Sequence, residues 1–142
     1  MTTILLLTAH LLLAQAAAPI DAEDADKLTQ LMRASAQGDV TRVEALLAKG
    51  ADPNARSSAQ NLTALMFAAY HGHAGVVKAL LGKGARLDLK DDLGAAAVDW
   101  AAFAGHTDLE KLLTGRGAAL NPFLNVGTLP LGTMERAAAK PK

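Results

Sequence analysis

The sequence predicts an all-α solenoid of stacked helix-turn-helix units joined by hairpin-like fingers. The first observation is a phrase that occurs three times at nearly equal intervals, at residues 38–52, 72–86 and 105–119. The second is that each copy holds two glycines twelve residues apart, Gly38/Gly50, Gly72/Gly84 and Gly105/Gly117. A fixed period of about 33 residues with two helices per unit indicates that neighbouring units stack into one array.

The segments around each phrase recur in the same phase. T-A-L-M-F-A-A-Y-H-G-H at residues 63–73 returns loosely at 96–106, and L-M-R-A-S-A-Q-G-D at 31–39 is a degenerate first copy. The phrases end in G-A-D-P-N-A, G-A-R-L-D-L and G-A-A-L-N-P. These segments resemble the T-P-L-H-x-A-A-x-x-G-H helix and the G-A-D-V-N-A ending of the ankyrin-repeat family. The resemblance covers residues 24–123 and implies an ankyrin-repeat solenoid whose surface binds another protein.

The period divides the chain into units. Residues 17–56 are predicted to form an N-terminal capping repeat, and residues 57–90 and 91–123 two ankyrin repeats. Gly50, Gly84 and Gly117 follow the second helices, where the backbone commonly takes positive φ. Asn61 takes the place of Gly94 in the finger turn, because asparagine tolerates that backbone region better than most residues. The predicted core positions recur in phase and are Leu46, Leu65, Leu80, Val98 and Leu113.

Residues 124–142 continue the same repeating step. Gly94 maps to Gly127 and Val98 to Leu131, while Pro130 stands where a helix can begin with proline at little cost. The sequence therefore predicts a partial C-terminal capping repeat, with a first helix over residues 129–139 that stacks on the third unit, followed by a tail. Solenoids need such caps because the end of a stack is apolar.

The N-terminus predicts a secretory signal peptide over residues 1–16, possibly to 20. Residues 4–13 form an apolar run, and Ala14-Gln15-Ala16 supplies the small residues that a signal peptidase reads. Cleavage after Ala16 is preferred to cleavage after Ala18, because Pro19 would then follow the cut. The alternative is an uncleaved anchor, although the apolar run is shorter than the ~20 residues of a spanning helix. A chain without cysteine and with such a segment indicates a periplasmic location, or a membrane-anchored one if the signal is uncleaved.

Composition and motifs argue against several classes of function. Fourteen basic residues balance fourteen acidic ones, so no basic surface is expected to attract nucleic acid. No nucleophile, base and orienting group occur together, and the histidines have no metal-ligand spacing. His73 and His106 are predicted to form hydrogen bonds between loops, and Asp99 to bind a nearby backbone N–H. We therefore expect no catalytic residue, no metal, no cofactor and no small-molecule substrate.

Four of the five aromatic residues lie on the first helices of the two full units. Phe67 and Tyr70 recur one period later as Trp100 and Phe103, at positions that line the concave surface in the family that the chain resembles. One reading is a partner-binding surface, since aromatic anchors concentrate binding energy. The other is that the rings pack on each other and stabilise adjacent repeats. The full set of predicted partner-binding residues is Arg33, Phe67, Tyr70, His71, Trp100, Phe103 and Arg136.

These observations favour a non-enzymatic protein–protein interaction module that binds and protects or regulates an envelope partner in the periplasm. Two alternatives stay open, an immunity-type inhibitor of a periplasmic toxin and a membrane-tethered structural component of the envelope. Contact with a membrane is expected only if the signal is uncleaved.

Overall fold

A computed structural model describes residues 19–24, 28–124 and 131–139 of the chain, without the side chains of residues 131 and 132. The described residues contain helices and no strand, apart from one isolated antiparallel bridge between Glu23 and Thr29. The helices are α1 (Gln30–Gln37), α2 (Val40–Ala48), α3 (Ala64–Tyr70), α4 (Ala74–Gly82), α5 (Ala97–Phe103), α6 (Thr107–Thr114) and α7 (Leu131–Ala138).

The first six helices form three antiparallel pairs that stack in chain order. The first helix of each pair packs on its own second helix, α1 on α2, α3 on α4 and α5 on α6. It also packs on the first helix of the neighbouring pair, so that α3 lies between α1 and α5. We call α1, α3 and α5 the inner helices, and α2, α4 and α6 the outer ones. This arrangement confirms the predicted all-α repeat solenoid.

The inner helices begin at equivalent residues. Thr29 and Thr63 cap α1 and α3, where their hydroxyls accept hydrogen bonds from the backbone N–H groups of Met32 and Met66, at 3.3 and 3.4 Å. The third unit has Ala96 at this position and therefore lacks a capping oxygen. Asp99 Oδ2 compensates by accepting a hydrogen bond from the backbone N–H of Ala96 at 2.8 Å. The predicted role of Asp99 is thus confirmed.

The finger turns have the backbone that the sequence predicts. Asn61 has a φ of 56°, close to the 79° of its equivalent Gly94. Gly50, Gly84 and Gly117 after the outer helices have φ values of 97°, 88° and 95°. A side chain is strained in this region, which explains why the period is marked by glycine.

The core runs through the whole stack as one cluster of buried residues. All five predicted core positions are buried, namely Leu46, Leu65, Leu80, Val98 and Leu113. Ala69 on α3 is fully buried because α5 stacks beside it, whereas its equivalent Ala102 on α5 is half-buried. The side of the third unit that faces away from the second unit is therefore only partly covered.

Residues 19–24 lie against the second finger, which joins α2 to α3. Asp21 Oδ1 accepts a hydrogen bond from the backbone N–H of Asp52 at 3.1 Å, and the Glu23 carboxylate accepts two from Ser58, both at 2.7 Å. The predicted signal peptide over residues 1–16 lies outside the described residues. Among the residues that are described, no helix is long and apolar enough to cross a membrane.

The last helix corrects the prediction of a C-terminal capping repeat. A fourth inner helix would pack mainly on α5, but α7 packs on α1 and, to a smaller extent, on α3. Burial of Met134 and Ala137, both 0% exposed, stabilises α7 at this place on the first two units. The predicted helix start at Pro130 and the turn at Gly127 lie outside the described residues.

Candidate partner-binding face

The exposed side of the inner helices is the candidate site. Helix α3 has α1 and α5 on its two flanks and α4 behind it, so that α7 contacts the remaining side. Arg33, Tyr70, His71 and Phe103 lie at the edge of this side and are half-buried. We call these four residues the inner face. Arg33 lies on α1, Tyr70 ends α3 and His71 follows it. Phe103 ends α5.

Two residues of the inner face hold α7 through its backbone. His71 Nε2 donates a hydrogen bond to the carbonyl oxygen of Met134 at 2.8 Å. Arg33 Nη1 donates one to the carbonyl oxygen of Arg136 at 3.3 Å, while its Nε pairs with Asp24. Arg136 itself is exposed on α7. The structure therefore brings three of the predicted partner-binding residues together, but around a helix of the same chain.

The rings of the inner face form a connected cluster. Tyr70 lies edge-on to His71 and to Trp100, with ring centroids 5.0 and 5.8 Å apart. The rings of Tyr70 and Phe103 are nearly parallel, with centroids 6.5 Å apart. Aromatic pairs in these geometries stabilise their elements beyond the area they bury. Tyr70 and Phe103 thus join the second and third units and also remain partly accessible.

Phe67 and Trp100 are not available to a partner, which makes their prediction as contact residues wrong. Both side chains are 0% exposed. While α7 packs on α3, Phe67 is enclosed because α3 has a helix on every side, so that all its residues except Tyr70 are buried. Trp100 is turned toward the finger that precedes α5. For these two residues the structure supports the other reading of the aromatic pattern, in which the rings stabilise adjacent repeats.

Asp91 explains the direction of the Trp100 side chain. Its carboxylate is buried and accepts hydrogen bonds from Trp100 Nε1 at 3.1 Å and from the backbone N–H groups of Leu93 and Ala95, both at 2.9 Å. One residue therefore fixes the third finger turn and the largest side chain of α5. The nine-residue spacing between Asp91 and Trp100 is the only sequence signal that could have indicated this contact.

His73 and His106 connect consecutive units. His73 Nε2 donates to the carbonyl oxygen of Ala36 at 3.0 Å, and His106 Nε2 to that of Tyr70 at 2.9 Å. Each ring thus satisfies a carbonyl at the end of the preceding inner helix, where intrahelical donors run out. Their predicted structural role is confirmed, although the acceptors lie on helix ends and not on loops.

His71 differs from these two histidines in its acceptor, which lies on α7. Burial under α7 lowers the pKa of its imidazole below the ordinary value, mainly because the charged form loses water. The hydrogen bond to Met134 and the charge of Glu135 raise the pKa, and the neighbouring His73 and His106 lower it further. The net effect is a pKa below the ordinary histidine value where His71 meets α7.

Comparison with protein families identifies the fold independently. A family model of ankyrin repeats, in three copies, matches residues 31–123. The chain belongs to the ankyrin-repeat family. A search of the curated proteins finds no significant match.

Ankyrin repeats typically serve as protein–protein interaction modules, and their presence indicates that this chain is an interaction module. In the described part of this ankyrin array, no three histidine or acidic side chains lie close enough to hold a metal ion.

Two arginines of the fingers, Arg56 and Arg86, have partners on the fingers themselves. Arg86 pairs with Asp88 at 2.7 Å and lowers the pKa of that exposed carboxyl group, while Arg56 donates to the carbonyl of Lys90.

Proposed function

We propose that this ankyrin-repeat protein is exported to the periplasm, where it binds a protein partner of the envelope on its inner face and protects or regulates it. The observation that carries the proposal is the contact with α7. A surface that accepts a short helix through two side-chain donors and an apolar patch has the chemistry needed to accept a helix of another protein.

The composition of the face supports a partner that is a protein. The half-buried rings of Tyr70 and Phe103 offer apolar area, and Arg33 and His71 add polar donors to the same face. An apolar centre with a polar rim is the common layout of a protein interface. Both donors meet backbone carbonyls on α7, and that of Arg136 lies in the last turn, where the carbonyls of any helix lack intrahelical donors.

The sequence of the amino-terminal segment supports export. Cleavage after Ala16 would leave Asp21 and Glu23 in the mature chain, and these residues form hydrogen bonds with the second finger. The described contacts would thus survive processing.

Affinity capture from a periplasmic extract, read by mass spectrometry, tests the proposal. We expect the unmodified chain to retain one protein that Tyr70→Ala loses by tenfold or more. Lys78→Ala is the matched control, because Lys78 is exposed on the outer helix α4 and should leave capture unchanged. Melting curves must show that Tyr70→Ala is folded. Equal capture by both variants would place the partner elsewhere and overturn the proposed face.

A further inference from the structure

The contact that holds α7 is small. Two of its described side chains, Met134 and Ala137, are fully buried, and Ala138 is packed against the core in part. The two described hydrogen bonds to α7, from Arg33 and His71, reach its backbone carbonyls. A helix this short is not stable alone in water, so α7 depends on whichever surface it packs against.

A second surface of matching character lies at the open end of the array. A cavity of about 600 Å³ opens beside α5 and the segment that follows α6. We call it the end groove; its described lining is mostly apolar and consists of Asp99, Ala102, Phe103, Leu120, Asn121, Pro122 and Leu124. It lies where a fourth unit would stack, because Ala102 is the equivalent of Ala69, which α5 covers in the preceding unit.

The sequence of α7 is in register for this groove. A step of one period carries Val98 to Leu131, Ala101 to Met134 and Ala104 to Ala137. The connection from Leu124 to Leu131 is as long as the one from Asp91 to Val98, which forms the third finger and enters α5. The chain therefore has the length and the phase of a fourth inner helix, although α7 packs on α1 and α3.

We propose that the end groove is a second binding site for the chain's own α7. In this second arrangement α7 leaves α1 and α3 and stacks on α5, completing the solenoid. The exchange uncovers the inner face, while the repeats keep their fold. Two alternative packings of one short helix form a bistable element of the kind that interfaces use as switches. That the uncovered face then receives the partner rests on the proposed function; the exchange itself does not.

The absence of native cysteine allows a direct test by thiol labelling of the full chain. Three single variants report on burial: Ala137→Cys in α7 and Ala101→Cys in α5, both 0% exposed, and Ala139→Cys, which is exposed. We expect the thiol at 137 to react at least tenfold slower than the one at 139 and at least tenfold faster than the one at 101. Val76→Cys, also fully buried, replaces Ala101→Cys if that variant does not fold.

A second substitution tests the groove itself. Ala102→Arg places a charge in the groove, and Ala119→Arg places the same charge at an exposed position outside it. In the Ala137→Cys background we expect Ala102→Arg to slow labelling at least threefold and Ala119→Arg to leave it unchanged. Either an unchanged rate with Ala102→Arg, or equal rates at 137 and 101 in the parent chain, overturns the proposal.

The same samples identify a different occupant. If labelling at 137 accelerates with protein concentration and sedimentation shows dimers, α7 of a second copy fills the groove and the exchange within one chain is wrong. None of these measurements uses a partner, so capture from the periplasm can fail while the exchange holds, and the reverse.

Discussion

At the scale of single residues, Trp100 joins three parts of the molecule. Its indole N–H reaches Asp91 in the third finger, and its ring lies against Tyr70 of the preceding unit and Phe103 of its own helix. Because the side chain is fully buried, Trp100→Ala is expected to lower the free energy of unfolding by about 3–5 kcal/mol. Thermal and urea melting measure this loss.

Phe103→Ala is the control for Trp100→Ala, since Phe103 is only half-buried and should give a smaller loss. Leu113→Ala, at a core position, should cost about 2–5 kcal/mol. A Trp100→Ala protein that melts like the parent but loses its partner would contradict the structural role given to the indole.

His71 links stability to pH. Because burial lowers its pKa in the folded chain, the unfolded chain binds a proton at a higher pH than the folded one does. The contact between His71 and α7 therefore stabilises the fold fully at pH values above the ordinary histidine pKa. This stabilisation falls as the pH drops below that value. Melting temperatures at pH 7.5 and pH 5 should differ less in His71→Gln than in the parent. An identical difference in both proteins would show that His71 is not responsible.

At the scale of elements, consecutive units are held at the glycine–histidine turns. Gly72 and Gly105 have nearly equal φ values, 77° and 80°, but a Cβ on Gly72 would lie 2.7 Å from the His106 ring, whereas one on Gly105 meets nothing within 4 Å. Both alanine variants carry the backbone strain of about 1–2 kcal/mol. Gly72→Ala should lose about a further 1–3 kcal/mol, because the ring must move away from its acceptor. Equal losses in chemical denaturation would mean that the histidine contact contributes little.

Helix α7 stabilises the units on which it packs. Ending the chain after Leu124 should lower the free energy of unfolding by about 1–3 kcal/mol. Hydrogen exchange should become faster in α1 and α3, which α7 contacts, and change little in α6. Faster exchange confined to α5 and α6 would instead indicate a cap on the third unit.

The sequence predicts the repeated elements well because their constraints are local. The positive φ at Asn61, the burial of Leu80 and Leu113 and the role of Asp99 follow from the period itself. The inner face was predicted less well. A period does not tell which side of a short helix is enclosed by its neighbours. The sequence therefore predicts an accessible Phe67, which the structure buries. The position of α7 depends on competition between two apolar surfaces far apart in sequence, which no local pattern encodes.

At the scale of the whole molecule, the proposed export would determine the compartment in which the array works. The small residues Ala14 and Ala16 after an apolar run predict a mature protein that begins near Ala17. Amino-terminal sequencing of protein purified from the periplasmic fraction should find that start. Recovery of the chain with Met1 intact in membranes would contradict cleavage and favour a tethered component.

The position of α7 also sets a threshold for recognition. Any ligand for the inner face meets a competitor joined to the same chain, whose effective concentration is on the order of millimolar for a short connection. The apparent affinity falls in proportion to the fraction of molecules in which the face is vacant. Weak ligands, even abundant ones, are thereby excluded in a crowded compartment, and only a ligand that binds better than the tethered helix occupies the face. Affinities measured on a chain shortened before α7 will consequently exceed those of the intact protein, and selectivity will be lower.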